Sequence, residues 1–284
     1  MNPSPIGWTE MTDEEFNLFS ELIYDACGIL FPPSMKFFLE RRLRQRPAAL
    51  GLHSFRDYYR LVRYGPEGKA ETDEILDRVT NNETYFFRGS SQLRAFQQEI
   101  LPALAQAKAP GAPIRIWSAG CSSGEEPYSL SMLARDGGKV DPRRLQILGH
   151  DISRRVLTTA AKGEYRPASL RETSETMRRR YFTSTASGYR LDEDIVASVQ
   201  FGRLNLMDES SMTGIRDMDV VFCRNVMIYF SHESRARLLS TLRRRMIAGG
   251  YLIVGHADNI MEITTEFELC PLQNDVVYRV PEGS

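Results

Sequence analysis

From residue 114 onward, short strand-type runs alternate with helical segments, and this alternation constrains the fold more than any other feature of the chain. Ile114-Arg115-Ile116-Trp117, Leu145–Leu148, Val199–Phe201, Val220–Cys223 and Tyr251–Val254 read as strands. Segments of helical character mostly separate them, notably Pro127–Arg135, Arg154–Lys162 and Glu233–Ile247. Such a pattern predicts an α/β fold with a parallel, doubly wound sheet. Phe267–Cys270 and Val276–Val280 have no helix between them, so they close the sheet as an antiparallel pair. Residues 165–199 are too long for one strand-to-helix excursion and include alternating runs such as Tyr189-Arg190-Leu191, which predicts a small inserted β-subdomain.

Residues 10–80 carry helical periodicity and no strand signal. Thr12 and Glu15 form a capping box, Phe16, Phe19, Ile23 and Cys27 follow at helical spacing, and Gly28 stops the run. A second helix is expected over Ser34–Leu50 with Leu39, Leu43 and Leu50 inward and with Pro47 kinking or shortening it. Two shorter helices follow at His53–Tyr64 and Ala70–Val79. The expected organisation is an all-α domain over 1–90, a linker over 91–113 in which Pro102–Pro113 is rich in Ala and Pro, and an α/β domain over 114–284.

Composition excludes several classes. Thirty-six basic residues against 37 acidic ones leave a net charge of −1, which argues against broad nucleic-acid binding. No window approaches 18 consecutive apolar residues, so no spanning helix is expected. Met1–Glu10 has no basic residue, so it is not expected to act as a signal peptide. Cys27, Cys121, Cys223 and Cys270 are scattered with no C-x-x-C pair, which fits free thiols in a reducing cytoplasm better than a metal or redox site.

The strongest motif is Ser118-Ala119-Gly120-Cys121-Ser122-Ser123-Gly124-Glu125-Glu126-Pro127, directly after the first strand of the sheet. Doubly wound folds bind ligands at such strand-to-helix turns, where glycines let a ligand approach the backbone. The G-x-x-x-G spacing is not the dinucleotide fingerprint, and the missing Lys-Ser or Lys-Thr and the two glutamates exclude a phosphate loop. An acidic turn suits a cationic ligand such as S-adenosylmethionine; the plain alternative is a turn with only a structural role. The same residues spell Gly120-x-Ser122-x-Gly124, the nucleophile elbow of serine hydrolases, with His256 as the available base. Only one candidate strand precedes the turn, and the glutamates would oppose an oxyanion, so this reading ranks far lower. Gly149-His150-Asp151 ends the second strand, where a carboxylate can take both hydroxyls of a ribose or, alternatively, cap the following helix. Cys223-Arg224-Asn225-Val226-Met227-Ile228-Tyr229-Phe230 follows the fourth strand and sets polar groups on the same sheet edge.

With Thr80-Asn81-Asn82-Glu83-Thr84-Tyr85-Phe86-Phe87-Arg88, the turn at 123–128, Asp151, Asn205-Leu206 and the Cys223–Phe230 segment taken together, the chain resembles the chemotaxis receptor methyltransferases, the CheR family, over nearly its full length. The resemblance implies a Rossmann-like methyltransferase sheet preceded by a helical domain. It implies S-adenosylmethionine as cofactor, with S-adenosylhomocysteine as product, and no metal. The cofactor contacts it implies are Asn82, Thr84, Arg88, Glu126, Asp151, Asn205, Leu206, Arg224 and Asn225. Two departures stand out: Thr80-Asn81-Asn82 where members often have Thr-Thr-Asn, and Pro47 within a usually continuous helix.

The reaction implied is methyl transfer to a receptor glutamate carboxylate, which is already ionised at neutral pH and needs no general base. In-line alignment and exclusion of water carry such a step. Arg88 could steer the substrate carboxylate or only bind the cofactor's; Tyr229 could contact the reacting groups or belong to the core. Cys121 and Cys223 read as packing residues. The implied partner is the cytoplasmic helical region of methyl-accepting chemoreceptors, reached from the cytoplasm by a monomer that meets the membrane only through the receptor. Ser34–Arg60 nets +5, seven basic residues against two acidic, and Arg41, Arg42, Arg44 and Arg46 form the expected docking band. A merely solvated face is the alternative for that band. Arg178–Arg180 and Arg243–Arg245 read as ordinary helix surface. The competing functions are a catalytically silent cofactor-binding regulator, the serine hydrolase, and a nucleic-acid methyltransferase, which lacks the Asn/Asp-Pro-Pro-Tyr motif.

Overall fold

A computed structural model describes residues 10–283, so most of the stretch read for a signal peptide lies outside it. The chain divides into two compact units, residues 1–81 with 229–234, and residues 82–228 with 235–284. No helix among the described residues is long and apolar enough to cross a membrane.

The first unit is helical: α1 Asp13–Cys27, α2 Lys36–Leu43, α3 Gln45–Ala49, α4 Phe55–Tyr64 and α5 Gly68–Val79. The capping box forms as expected. Thr12 N–H donates to Glu15 Oε2 at 2.8 Å, Glu15 N–H donates back to Thr12 Oγ1 at 3.2 Å, and Gly28 ends the helix. Phe19, Ile23, Leu39, Leu43, Phe55 and Tyr58 are fully buried together with Phe16 and Cys27. The single helix expected over 34–50 is divided at Arg44, three residues before Pro47. A proline ring crowds the carbonyl four residues back, here that of Leu43, and supplies no N–H to it. Leu50, expected on the inner face, is corrected: α3 ends at Ala49, and Leu50 lies in the exposed turn beyond it.

The second unit starts earlier than the sequence suggests. The linker expected over 91–113 is mostly helix: α6 Ser90–Ala95, a π turn Phe96–Ile100 and α7 Leu101–Ala107. Leu93, Phe96, Ile100, Leu101 and Leu104 bury one face of it in the main core, with Phe96 edge-on to Phe222 at 5.5 Å. Pro102 is the second residue of α7 and directly follows the π turn, where its missing N–H interrupts the helical hydrogen-bond ladder. Next come β1 Ile114–Ala119, α8 Glu125–Gly137, β2 Leu145–Asp151 and α9 Arg154–Lys162. The predicted insertion is a three-stranded antiparallel sheet, β3 Glu164–Tyr165, β4 Phe182–Thr185 and β5 Gly188–Leu191, with α10 Glu175–Tyr181 before β4 and α11 Glu193–Val196 after β5. The chain returns through β6 Val199–Arg203, β7 Met218–Cys223, α12 His232–Arg245, β8 Met246–Val254, β9 Glu268–Pro271 and β10 Val276–Arg279. The expected helix to Ile247 stops at Arg245, and Met246 already belongs to β8.

The main sheet runs β6-β2-β1-β7-β8-β10-β9. Its first five strands are parallel; β10 is antiparallel to both β8 and β9 and lies between them. Every residue of β7 is buried, as a central strand covered on both faces requires. The order reverses beside β1, so the loops after β1, β2, β6 and β7 share one edge.

Candidate functional site

The carboxyl ends of β1 and β2 are tied together first. Gly120 N–H and Cys121 N–H both donate to the His150 carbonyl, at 2.8 and 2.9 Å. Ser122 takes a left-handed conformation (φ 50°), and its N–H donates to Asp151 Oδ2 at 2.8 Å. Asp151 Oδ1 accepts the Ser153 N–H at 2.9 Å. The carboxylate is therefore fixed at the sheet edge by backbone donors on both of its oxygens. Both roles read for Asp151, ribose acceptor and local cap, are compatible with this geometry. Asn205 and Leu206 stand beside it, because Leu204 N–H donates to the Asp151 carbonyl at 2.9 Å and Asn205 Oδ1 accepts the Met207 N–H at 3.0 Å.

The turn's glycines work differently from the expectation. A Cβ on Gly120 would lie 2.4 Å from Val226 Cγ2, and one on Gly124 would lie 2.9 Å from Ala160 Cβ and 3.0 Å from Phe201 Cζ. Protein side chains, not a ligand, take up the space these glycines leave. Both also need a positive φ, 84° and 91°.

The two glutamates of the turn separate. Glu126 accepts from Ser118 Oγ at 2.7 Å and pairs with Arg224 at 3.3 Å, and the Arg224 side chain is only 6% exposed. Arg224 also donates to the Arg88 carbonyl at 2.5 Å, which joins the β7 edge to the 82–88 loop. Asn225 follows in a left-handed conformation (φ 59°), which Asn tolerates better than most residues. Glu125, by contrast, is buried away from this edge, accepting from Ser123 Oγ at 2.7 Å and Ser169 Oγ at 3.1 Å. Burial pushes its carboxyl above the ordinary range. The reading of both glutamates as facing a cationic ligand is thus corrected for Glu125.

The 82–88 loop is framed by several tethers. The Asn82 carbonyl accepts from Ser122 Oγ at 3.1 Å, Phe86 N–H donates to the Ser169 carbonyl at 2.9 Å, and Phe87 N–H donates to Ser129 Oγ at 3.0 Å. Phe86 is an apolar anchor, edge-on to Tyr165 at 4.7 Å and Phe182 at 4.9 Å. Thr84 is half-buried in this loop. Arg88 donates to the Glu83 carbonyl at 2.9 Å, with its guanidinium 5.6 Å from the Tyr85 ring. Phe87 has φ 61°, a conformation that costs a bulky residue about 1–2 kcal/mol. Sequence reasoning missed Glu125, Ser129 and this strain; buried Asp258, whose carboxyl burial pushes upward, was missed too.

Other expectations fall into place around these. Burial raises the Cys121 and Cys223 thiols well above their ordinary range, so neither is a thiolate at neutral pH. No Ser-His pair assembles at the elbow motif: the Ser122 hydroxyl is bonded to Asn82, and His256 Nε2 is 2.9 Å from Asp275 Oδ2. Tyr229 is placed in the helical unit, where its hydroxyl accepts from Asn81 Nδ2 at 2.9 Å. Within the arginine band, Arg41 is exposed, Arg42 lies over the Phe38 ring at 5.0 Å, and Arg44 is 4.0 Å from Glu40. Arg46 is corrected. It donates through Nε to Glu71 Oε2 at 2.9 Å and pairs with a Glu71 side chain that is 4% exposed, so its charge is spent inside the helical unit.

A seven-stranded sheet of five parallel strands, with β10 folded back between β8 and β9 and with a fixed carboxylate and an Arg–Glu pair over its carboxyl edge, defines the class: a Rossmann-like methyltransferase. Residues 14–80 match the all-alpha domain of the CheR methyltransferases, and residues 82–276 match their SAM binding domain. The chain belongs to the CheR methyltransferase family. A chemotaxis protein methyltransferase 2 from Vibrio cholerae is 34% identical over 95% of this chain and 94% of its own. Chemotaxis protein methyltransferase 1 from Pseudomonas aeruginosa is 32% identical over 93% of this chain and 97% of its own, and a homologue from Borreliella burgdorferi is 31% identical over 88% and 89%.

Proposed function

We propose that this chain is a protein-glutamate O-methyltransferase that esterifies side-chain carboxylates on the cytoplasmic helices of chemoreceptors in chemotaxis-type adaptation. One observation carries the reading: both domains match the CheR family, in order and over most of the chain. When bound, S-adenosylmethionine supplies an electrophilic methyl group. Its residues fit: Asp151 offers a held carboxylate for a ribose diol, and Arg88 a cation for a carboxylate. Asn82, Thr84, Glu126, Asn205, Leu206, Arg224 and Asn225 frame the remainder. Arg88 and Tyr229 are the candidates for guiding the incoming glutamate, and Arg41, Arg42 and Arg44 for receptor docking. The rest is positioning and water exclusion, since an ionised carboxylate needs no base. Labelled methyl transfer to receptor-containing membranes tests this: carboxyl esters release methanol in mild alkali. Label that survives alkali, as on a base or a lysine, would overturn the reading, and binding without transfer would make the chain a silent regulator.

A further inference from the structure

We propose that Ser129, a buried residue on α8, is a positioning residue that holds the 82–88 loop in its site-forming shape by pinning Phe87 in a left-handed conformation. The inference rests on the reading that this loop holds the cofactor. Ser129 is fully buried in the second turn of α8, where an apolar residue would ordinarily serve the core better. Its hydroxyl donates to the Glu125 carbonyl at 2.6 Å, which fixes the rotor and aims the oxygen's remaining lone pairs outward. The Phe87 N–H uses one of them at 3.0 Å. One oxygen atom therefore links the helix that starts at the glycine turn to the loop facing it.

The link matters because of what it holds. Phe87 (φ 61°) and Gly89 (φ 74°) flank Arg88, so the two left-handed residues together set the direction of the Arg88 side chain and of its carbonyl. That carbonyl accepts from Arg224, and Arg224 pairs with Glu126. Glycine adopts a positive φ at no steric cost; phenylalanine does not, and needs compensation. Without the Ser129 acceptor, a half-buried N–H loses its partner and the strained form loses its support. The loop then relaxes to negative φ, and Arg88 swings away from Arg224.

A double-mutant cycle separates this role from simple core packing. S-adenosylhomocysteine is titrated calorimetrically into wild type, Ser129→Ala, Phe87→Gly and the double variant. Amide exchange at 86–89 is followed in each. Ser129→Ala should weaken binding about tenfold and speed exchange at 86–89 while α8 stays protected. In the Phe87→Gly background, where no strain needs holding, the same change should cost less than twofold. Equal losses in both backgrounds, or unchanged binding and exchange in Ser129→Ala, would overturn the proposal. If Ser129→Ala does not fold, Ser129→Cys keeps the volume with a weaker acceptor and is read the same way. Failure of wild type to bind S-adenosylhomocysteine would sink the cofactor reading instead, leaving loop exchange to decide the role of Ser129.

Discussion

Glu125 and Glu126 are adjacent, identical in chemistry and opposite in role. Successive helical residues point about 100° apart, so at the start of α8 one carboxylate reaches the sheet edge and the other the protein interior. Sequence shows two charges at a turn; it does not show which one is desolvated, and Glu125 was misread for that reason. The place of Asp151 at a strand end was legible from the apolar run before it, whereas the strain at Phe87 has no signature in residue type. Two predictions belong here. Burial holds the Glu125 carboxyl above its unfolded value, so the native state binds the proton more tightly than the unfolded chain. Stability must then fall as pH rises from the unfolded value near 4.5 through the raised native one, with the full penalty above it. Glu125→Gln should accordingly be the more stable protein at pH 7–8 by on the order of 1 kcal/mol, with the gap closing towards pH 4.5. Urea midpoints across that range check it, and a pH-independent gap would contradict the argument. Asp151→Ala should weaken S-adenosylhomocysteine binding by about 10- to 100-fold, the scale of hydrogen bonds to a charged group. It should also lower the melting temperature, because the Ser122 and Ser153 N–H groups lose their acceptor. Unchanged calorimetric affinity in the folded variant would remove Asp151 from the ribose site.

At the level of elements, the strands and their order of appearance could be read from apolar runs, because a central parallel strand such as β7 has no polar face to confuse the pattern. The join between domains could not. Ala and Pro in 102–113 suggest a linker, yet Leu93, Phe96, Ile100, Leu101 and Leu104 recur at helical spacing and all are buried. Composition outweighed periodicity in that reading, and the π turn at Phe96–Ile100 blurs the period further. The arginine band was likewise legible as charge but not as direction. Arg46, counted with Arg41 and Arg44, turns inward to Glu71, which also accepts from the Tyr58 hydroxyl at 3.2 Å. Arg46→Ala should therefore act on stability, destabilising the helical unit by about 3 kcal/mol, since removing one partner strands a buried carboxylate. Reversing Arg41 and Arg44 to Glu should instead cost the helical unit no more than about 1 kcal/mol, through the lost Glu40 pair, while sparing S-adenosylhomocysteine affinity, raising the receptor concentration needed for methylation, and flattening its salt dependence. Chemical denaturation and receptor titrations at two ionic strengths separate these outcomes. Normal methylation by the reversed pair at low salt would reduce the band to a solvated face.

Across the whole molecule, the two units are not two consecutive stretches of chain. Residues 229–234, which lie in sequence within the methyltransferase domain, belong to the helical unit. Phe230 forms an antiparallel bridge with Ile29 and is buried there. Leu30 N–H donates to the Tyr229 carbonyl at 2.9 Å, and the Tyr24 and Ser231 hydroxyls are 3.2 Å apart. No linear reading reveals such a return, because periodicity and capping report only neighbours in sequence. The consequence is energetic: a fragment ending at residue 81 keeps all five helices of its unit but loses Phe230 and the hydrogen bonds around it. Full burial of a phenylalanine side chain contributes about 1.5–3 kcal/mol. Phe230→Ala in the intact chain should cost about 3 kcal/mol once the cavity is included. Residues 1–81 alone should accordingly show weaker amide protection at Phe16, Phe19 and Ile23 than the same residues in the full chain. Phe230→Ala should move the full chain towards the fragment. Equal protection in fragment and full chain would mean that the helices complete their own core and that the returning segment only rests on it.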